Sequence, residues 1–543
     1  MRRTYCIITI IYTLLVLLIP NFILCFTEQM SYLGSLCNIL IPASFILFIL
    51  TISRRIGINI WLLFPYFFFS AFQIVLLKLY GRSIIAVDMF LNIVTTNPGE
   101  VAELLGNLLP VVGLVIILYL PVLIMASWMW GKRHLLDNHT VAAGRRLALV
   151  TSIAGFLSLS VTESSFRTID NVFPLNVCYN VYLAIDRTEK TASYHTTSKD
   201  FTYSAVPSHP ASAREIYIAI VGETSRAENW QILGYTRPTT PQLLSRNDIM
   251  TSVNALSESN TTHKSVPMLL STVSACDFDK NIYTTKSLVT AFREAGFNTA
   301  FISNQRYNHS FIDFFAQEAD TTLFLKEQEL ELDNNTPEDL RLLSVIDNII
   351  ARENTKQLIV LHTYGSHFNY RDRYSGIKGE FLPDDYDEAS ESNREKLINA
   401  YDNTIRITDR LISECIIRLD TIQHLLGGII YTSDHGEDIF DDGKRNFLHA
   451  SPIPTIHQVH VPFLVWITDS LNRLEPSAFE RMKVNMSKRV SPSRSYAPTL
   501  IQMAGIISPK IDGTQSLLST EYLEKEPVYL NDHNECVPLR TLL

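Results

Sequence analysis

Glu223 closes an uncharged run, Ile216-Tyr217-Ile218-Ala219-Ile220-Val221-Gly222, and Thr224 and Ser225 follow at once. Far downstream, Asp434-His435 closes a second apolar run, Gly428-Ile429-Ile430-Tyr431-Thr432-Ser433, ahead of Gly436 and Glu437. Carboxylate oxygen together with imidazole nitrogen is a donor set that suits zinc at three or four ligands. Taken singly, a Glu after a strand is ordinarily a helix cap and an Asp-His pair a structural hydrogen bond. Their joint position at two strand ends points instead to one metal site built from distant segments.

Group transfer at such a site needs a nucleophile. Ser257-Glu258-Ser259-Asn260-Thr261-Thr262-His263-Lys264-Ser265-Val266-Pro267 is a hydroxyl-rich turn ahead of the apolar Met268–Leu270. A hydroxyl attacks well only when a metal lowers its pKa or a base takes its proton. The residues alone leave Ser259, Thr261, Thr262 and Ser265 open. The same turn reads as a helix N-cap, and a helix start would support a bound phosphate. His367 follows the strand Gln357–Thr363, and His449 follows the Asp434 turn. His362, at that strand's end, reads by itself as a core histidine, and His457 and His460 read as loop polar groups.

The elements that must position these residues are those of an α/β domain. From about Arg214 onward, strands Ile216–Val221, Thr299–Ser303, Gln357–Thr363, Gly428–Thr432 and Val461–Ile467 alternate with helices Thr284–Ala295, Glu338–Ala351, Arg394–Leu419 and Tyr496–Ala504. The alternation predicts an α/β sandwich with a mainly parallel sheet over residues 214–543, and chemistry at the carboxyl ends of its strands. Residues 164–213 read as a connector, with a membrane-surface helix around Tyr179–Ile185 and an extended linker ending at Pro210. Of seven Cys, Cys178, Cys276, Cys415 and Cys536 lie in this polar part, as two disulfides or four thiols.

Residues 1–163 differ in kind. Uncharged runs Tyr5–Cys25, Leu33–Ile52, Ile58–Leu77 and Leu108–Trp130 are each near the ~20 residues that span hydrocarbon. Leu147–Val161 is shorter and makes a fifth span. The first run lacks a small-residue cleavage site and reads as an anchor. Arg2, Arg3, Arg54, Arg55, Lys132, Arg133, Arg145 and Arg146 fall at alternate loops. The positive-inside rule then puts the N-terminus in the cytoplasm and everything after about Glu163 outside. The outer loop 80–107 holds an apolar helix around Val87–Val94 and a second helix, Glu100–Leu105, after Asn97-Pro98-Gly99. A net charge of -9 argues against nucleic-acid binding.

Longer motifs carry a resemblance. Gly222-Glu223-Thr224-Ser225-Arg226-Ala227, Asn229-Trp230 and Gly234-Tyr235-Thr236-Arg237-Pro238-Thr239-Thr240-Pro241 form the first block. Thr262 with Ser265-Val266-Pro267, His362-Thr363-Tyr364-Gly365-Ser366-His367, Tyr401-Asp402-Asn403-Thr404 and Ser433-Asp434-His435-Gly436-Glu437 continue it. With Asn92, Thr96-Asn97-Pro98 and Glu100, the chain resembles the phosphoethanolamine transferases, among them the lipid A-modifying and colistin-resistance enzymes. The resemblance implies an alkaline phosphatase- and sulfatase-like domain on five membrane helices, in the bacterial inner membrane with the catalytic domain in the periplasm. It implies zinc on Glu223, Thr262, Asp434 and His435, with Thr262 as nucleophile. It also implies His362, His367 and His449 near the phosphoethanolamine phosphate or a second zinc. Asn92, Thr96 and Glu100 would meet the lipid substrate. The implied reaction moves phosphoethanolamine from phosphatidylethanolamine to an envelope glycolipid, lipid A first, with core oligosaccharide or periplasmic glucan as alternatives. A glycerol-phosphate transferase or a hydrolase would share the metal site. Two departures stand out. Asn304–His309 does not follow the family's pattern. Glu258 and Met268 stand where the lipid A enzymes carry a cystine, which leaves packing and metal to hold the nucleophile turn.

Overall fold

The run that ends at Glu223 is the central strand of a seven-stranded sheet. A computed structural model describes residues 2–28, 30–80, 84–95, 98–162, 166–327, 337–352, 355–443 and 446–543. The chain divides into two units, Met1–Asp186 and Arg187–Leu543.

In the second unit the sheet strands are β1 (Glu215–Gly222), β2 (Met250–Ser252), β3 (Asn298–Ser303), β4 (Thr321–Phe324), β5 (Lys356–His362), β6 (Leu426–Ser433) and β7 (Phe463–Ile467). Their order is β2-β7-β6-β1-β5-β3-β4. β1 pairs in parallel with β5 and β6, β3 in parallel with β4 and β5, and β7 runs antiparallel to both β6 and β2. Every residue of β1, β5 and β6 is buried. That explains their unbroken β-branched character, since a strand covered on both faces has no solvent side to alternate with. Helices α10 (Thr262–Leu270) and α12 (Pro492–Met503) cover one face through Val266, Leu269, Leu270, Tyr496 and Leu500, packed on Tyr217, Ala219, Val221 and Ile430. A long helix, α11 (Arg394–Asp420), buries Leu397, Tyr401, Ile405 and Ile412 at helical spacing.

The mainly parallel sheet matches the expectation, with two additions. β2 and β4, absent from the sequence reading, are the two sheet edges. They are three and four residues long, and β4 is only half-buried, so neither produces a readable run. The segment before Pro210 is also more than a linker. Val206–Pro207 pairs antiparallel with Ile506–Ile507.

The first unit is helical: α1 (Arg2–Leu17), α2 (Ile19–Thr27), α3 (Tyr32–Leu50), α4 (Ile56–Trp61), α5 (Phe64–Tyr80), α6 (Val87–Thr95), α7 (Pro98–Gly131), α8 (Asn138–Val161) and α9 (Leu175–Ala192). Among the described residues four stretches are long and apolar enough to cross a membrane: Thr4–Thr27, Tyr32–Leu50, Leu109–Gly131 and Asn138–Val161. Phe64–Lys78 is apolar but shorter. The fifth expected span begins earlier than its apolar run, because Asp137 caps α8 by accepting from Thr140 N at 2.9 Å. The separate helix Glu100–Leu105 is corrected: α7 runs through it without a break, carrying Pro110 and Pro121 inside. α3 and α8 approach closely at Gly144, where a Cβ would lie 2.4 Å from Thr51 Cγ2. Arg145 donates to the carbonyls of Thr51 and Ile52 at 3.0 and 2.7 Å, and Arg54 to that of Leu136 at 2.8 Å. Three basic segments therefore meet on one side of this unit.

Candidate active site

β1 and β6 are neighbours in register, Gly222 opposite Ser433, so the residues after them emerge side by side. Asp434 N donates to Gly222 O at 3.1 Å, and Thr224 N donates back to Asp434 Oδ1 at 3.2 Å. Thr224 holds a left-handed backbone, φ 57°, which turns the chain sharply after Glu223. Gly365 approaches the same turn, and its φ is 53°. A Cβ there would stand 2.4 Å from Glu223 O, and the next amide, Ser366 N, donates to that carbonyl at 2.9 Å.

Four side chains converge. Glu223, Asp434 and His435 are at most 1% exposed, and their ligand atoms all lie within 4.8 Å of one another. Thr262 Oγ1, on the first residue of α10, lies 3.2 Å from Glu223 Oε1, 3.3 Å from Glu223 Oε2 and 3.2 Å from His435 Nε2. His435 Nδ1 lies 2.9 Å from the carbonyl of Gly436, which can only accept, so Nδ1 carries the proton and Nε2 offers its lone pair to the cluster. Burial, with the Asp434 carboxylate beside it, pushes the Glu223 carboxyl well above its ordinary value. Two carboxylates and an imidazole lone pair aimed at one point fit a divalent cation in hard-to-borderline coordination.

The four open hydroxyls are now distinguished. Only Thr262 touches both Glu223 and His435, and it is half-buried where Ser259, Thr261 and Ser265 are buried. Ser265 donates to Asp434 Oδ2 at 3.0 Å, and Ser259 and Thr261 pair with each other at 3.2 Å.

Of the other histidines, the His449 ring lies 4.3 Å from that of His435, and the His367 ring lies 5.7 Å from that of His449. His367 Nδ1 faces Phe368 O at 2.7 Å, which leaves Nε2 as its lone-pair side. Burial and the neighbouring cations lower His367 to about 3, and burial with the other two imidazoles holds His449 well below its ordinary value. Glu437 Oε2 lies 3.4 Å from His449 Nδ1, and Tyr370 OH donates to Glu437 Oε1. The ring of His362 meets Ser303 and Phe301. It is 1% exposed, its Nδ1 faces Ser303 Oγ at 3.1 Å, and Nε2 has no hydrogen-bond partner, the surroundings of a core histidine. Thr96 lies outside the described residues, as do the side chains of Asn92 and Glu100.

Two features escaped the sequence. Gln305, in the segment that departs from the family pattern, donates to Glu223 Oε2 at 3.2 Å. And the hydroxyl-rich turn that carries Thr262 is fastened by specific hydrogen bonds as well as by packing. Glu258 accepts from Ala275 N at 2.8 Å, from Ser491 Oγ at 2.9 Å and from Arg494 Nε, while Leu530 N donates to its carbonyl at 2.8 Å. Lys264 Nζ donates to Asn531 O at 2.9 Å, and Tyr529 OH donates to Asn260 Oδ1 at 2.5 Å. Tyr529, Leu530 and Asn531 belong to a hairpin in which Val528–Leu530 pairs antiparallel with Cys536–Pro538, and the disulfide Cys276–Cys536 ties it down; Cys178 and Cys415 are free.

Residues 215–506 match the family model described as Sulfatase. Over 403 residues the chain is 26% identical to the Kdo(2)-lipid A phosphoethanolamine 7''-transferase of Escherichia coli (strain K12), covering 72% of this chain and 68% of that protein. Across related proteins the matched share of their length runs from 47% to 79%. Among solved structures, the integral membrane protein lipooligosaccharide phosphoethanolamine transferase A from Neisseria meningitidis superposes with TM-score 0.71 at 22% identity, over 94% of this chain and 97% of that one. The C-terminal periplasmic domain of EcEptC from Escherichia coli, in complex with Zn, gives TM-score 0.55 at 21% identity, over 62% and 96%. At these identities the solved structures speak to the fold.

Proposed function

The chain belongs to the sulfatase family, and from that membership we propose that it is an inner-membrane phosphoethanolamine transferase with its catalytic unit in the periplasm. It takes phosphoethanolamine from phosphatidylethanolamine and passes it to an envelope glycolipid of the lipid A class. The observation that carries this reading is the position of Thr262 Oγ1, within 3.3 Å of both the Glu223 carboxylate and His435 Nε2 at the start of α10.

Glu223, Thr262, Asp434 and His435 would hold a zinc ion, whose chemistry here is to lower the pKa of the threonine hydroxyl and offset negative charge at phosphorus. The chain's own part follows from its geometry. His435 keeps its proton on Nδ1, so the nitrogen facing Thr262 carries the lone pair that the ion would take. Thr262 Oγ attacks the donor's phosphorus, a new O–P bond forms, and the P–O bond to diacylglycerol breaks, the proton given up by the Thr262 hydroxyl ending on the departing glycerol oxygen. The acceptor's oxygen then displaces Thr262 in a second transfer. His367 and His449, kept neutral by burial, present polar edges toward the phosphoryl group rather than fixed charge. The first amides of α10, a nine-residue helix, face the same region and favour an anion. Asn92, Thr96 and Glu100 would meet the donor headgroup.

Intact mass of the full-length protein in detergent, after exposure to phosphatidylethanolamine, tests this directly. The wild type gains one phosphoethanolamine and Thr262→Ala gains none. A Thr262→Ala protein that still gains the mass would remove Thr262 as nucleophile. Mass spectrometry of lipid A and the other envelope glycans, with and without the gene, identifies the acceptor.

A further inference from the structure

We propose that Gln305 is a positioning residue for the Glu223 carboxylate, and through it for the metal ion; the inference rests on the zinc site assigned above. Gln305 lies two residues past β3. Its side-chain Nε2 donates to Glu223 Oε2 at 3.2 Å and to Thr363 O at 3.1 Å. Both partners only accept, so the amide cannot be turned over, and both of its hydrogens are used. The carboxylate is thereby gripped at both oxygens: Thr224 Oγ1 donates to Oε1 at 2.7 Å and Gln305 to Oε2. The remaining contact to Oε2 comes from Thr262, the reacting hydroxyl. Once Thr262 is committed to substrate, the Gln305 amide is the donor on Oε2 that still fixes the rotation of the carboxylate about its own axis.

The donor's neutrality matters. A Lys or Arg in this place would orient Glu223 equally well but would cancel charge that a divalent cation needs. An amide orients without neutralising. Its own backbone is anchored in turn, since Gln305 N donates to Ser303 Oγ at 3.1 Å, and that hydroxyl faces His362 Nδ1 at 3.1 Å. Ser303 and His362 are both buried, so the support is rigid. This gives His362 a place in the architecture two hydrogen bonds behind Gln305. A purely structural role, tying the β3 end to the β5 end, would need only the Thr363 contact. The bond to Glu223 is what that role leaves unexplained.

The test measures zinc affinity of the full-length protein in detergent by competition with a chromophoric chelator. The proteins are the wild type, Gln305→Met, which keeps the volume and loses the donor, and Ser303→Ala. Hydrogen-bond partners of metal ligands are typically worth about 10- to 100-fold in affinity. The expected result is a loss of that size for Gln305→Met, a smaller one for Ser303→Ala, and unchanged melting of the metal-free proteins. With zinc restored by excess, kcat of Gln305→Met recovers while KM for the lipid stays put. Gln305→Met binding zinc as tightly as the wild type would overturn the proposal, as would a loss matched by equal destabilisation of the metal-free form. A wild type that binds no zinc is a different outcome and removes the metal reading itself.

Discussion

Thr262 sits where a hydroxyl, a carboxylate and an imidazole lone pair meet, yet its neighbour Glu258 decides how firmly it sits there. Glu258 is 2% exposed and is held by Ala275 N, Ser491 Oγ and Arg494. Glu258→Gln keeps the shape and removes the charge that Arg494 answers. The expected cost is about 2 kcal/mol of stability, because a buried charged partner is left short of its acceptor. It should also lower kcat with KM unchanged, since small displacements of a nucleophile are costly. Thermal melting and steady-state kinetics measure the two effects, and an unchanged kcat would assign Glu258 to folding alone. At this scale the sequence was informative about Glu223, Asp434 and His435, because strand ends leave local patterns, while the hydroxyl turn left four candidates open and only the family resemblance singled out Thr262. It marked Glu258 and the segment around Gln305 as departures but was silent about what they hold. Their partners lie 82 and 236 residues away, and nothing in their immediate neighbours points to those partners.

His457, read as a loop polar group, links two segments. It faces Glu228 Oε1 at 2.6 Å and Asp442 Oδ2 at 3.1 Å. Burial alone would lower its pKa, but the hydrogen bond and charge of Glu228 outweigh it and raise the group from 6.5 to about 9. Because the folded value lies above the unfolded one, its stabilisation is complete below about 6.5 and fades as pH rises through about 9. Wild-type melting should therefore decline across that window more steeply than that of His457→Gln, and parallel curves would show the pair to be idle. Among the larger elements, the central strands β1, β5 and β6 were legible because full burial writes itself as continuous apolar sequence. The edge strands β2 and β4 and the pairing of Val206–Pro207 were not, because two to four residues hold too little pattern to read. The same holds in the helical unit, where Pro98 marked a helix start correctly but nothing showed that α7 would continue through to Gly131.

For the molecule as a whole, charge and hydropathy separate a helical unit from an α/β unit, and the structure divides the chain at Asp186 and Arg187, within α9. Arg54 and Arg145 reach across to neighbouring segments on one side of the helices, in keeping with basic loops that share a compartment. The proposed topology puts α9 outside the cytoplasm. Cys178, on that helix, is an exposed free thiol, whereas Cys6, Cys37 and Cys415 are buried. Cys25 is a half-buried free thiol, so the test uses Cys25→Ser as its background: a membrane-impermeant maleimide added to spheroplasts should label Cys25→Ser and not the Cys25→Ser, Cys178→Ser double variant. Labelling only after lysis would reverse the orientation.

The fastening of the nucleophile turn also sets an order of assembly during synthesis. Glu223 and Asp434, the proposed metal ligands, are translated well before the hairpin of Val528–Leu530 and Cys536–Pro538, whose residues Tyr529, Leu530 and Asn531 grip Asn260, Glu258 and Lys264. The covalent tie from Cys276 must wait for Cys536 as well. A nascent chain thus carries the proposed metal-binding residues ahead of a secured Thr262.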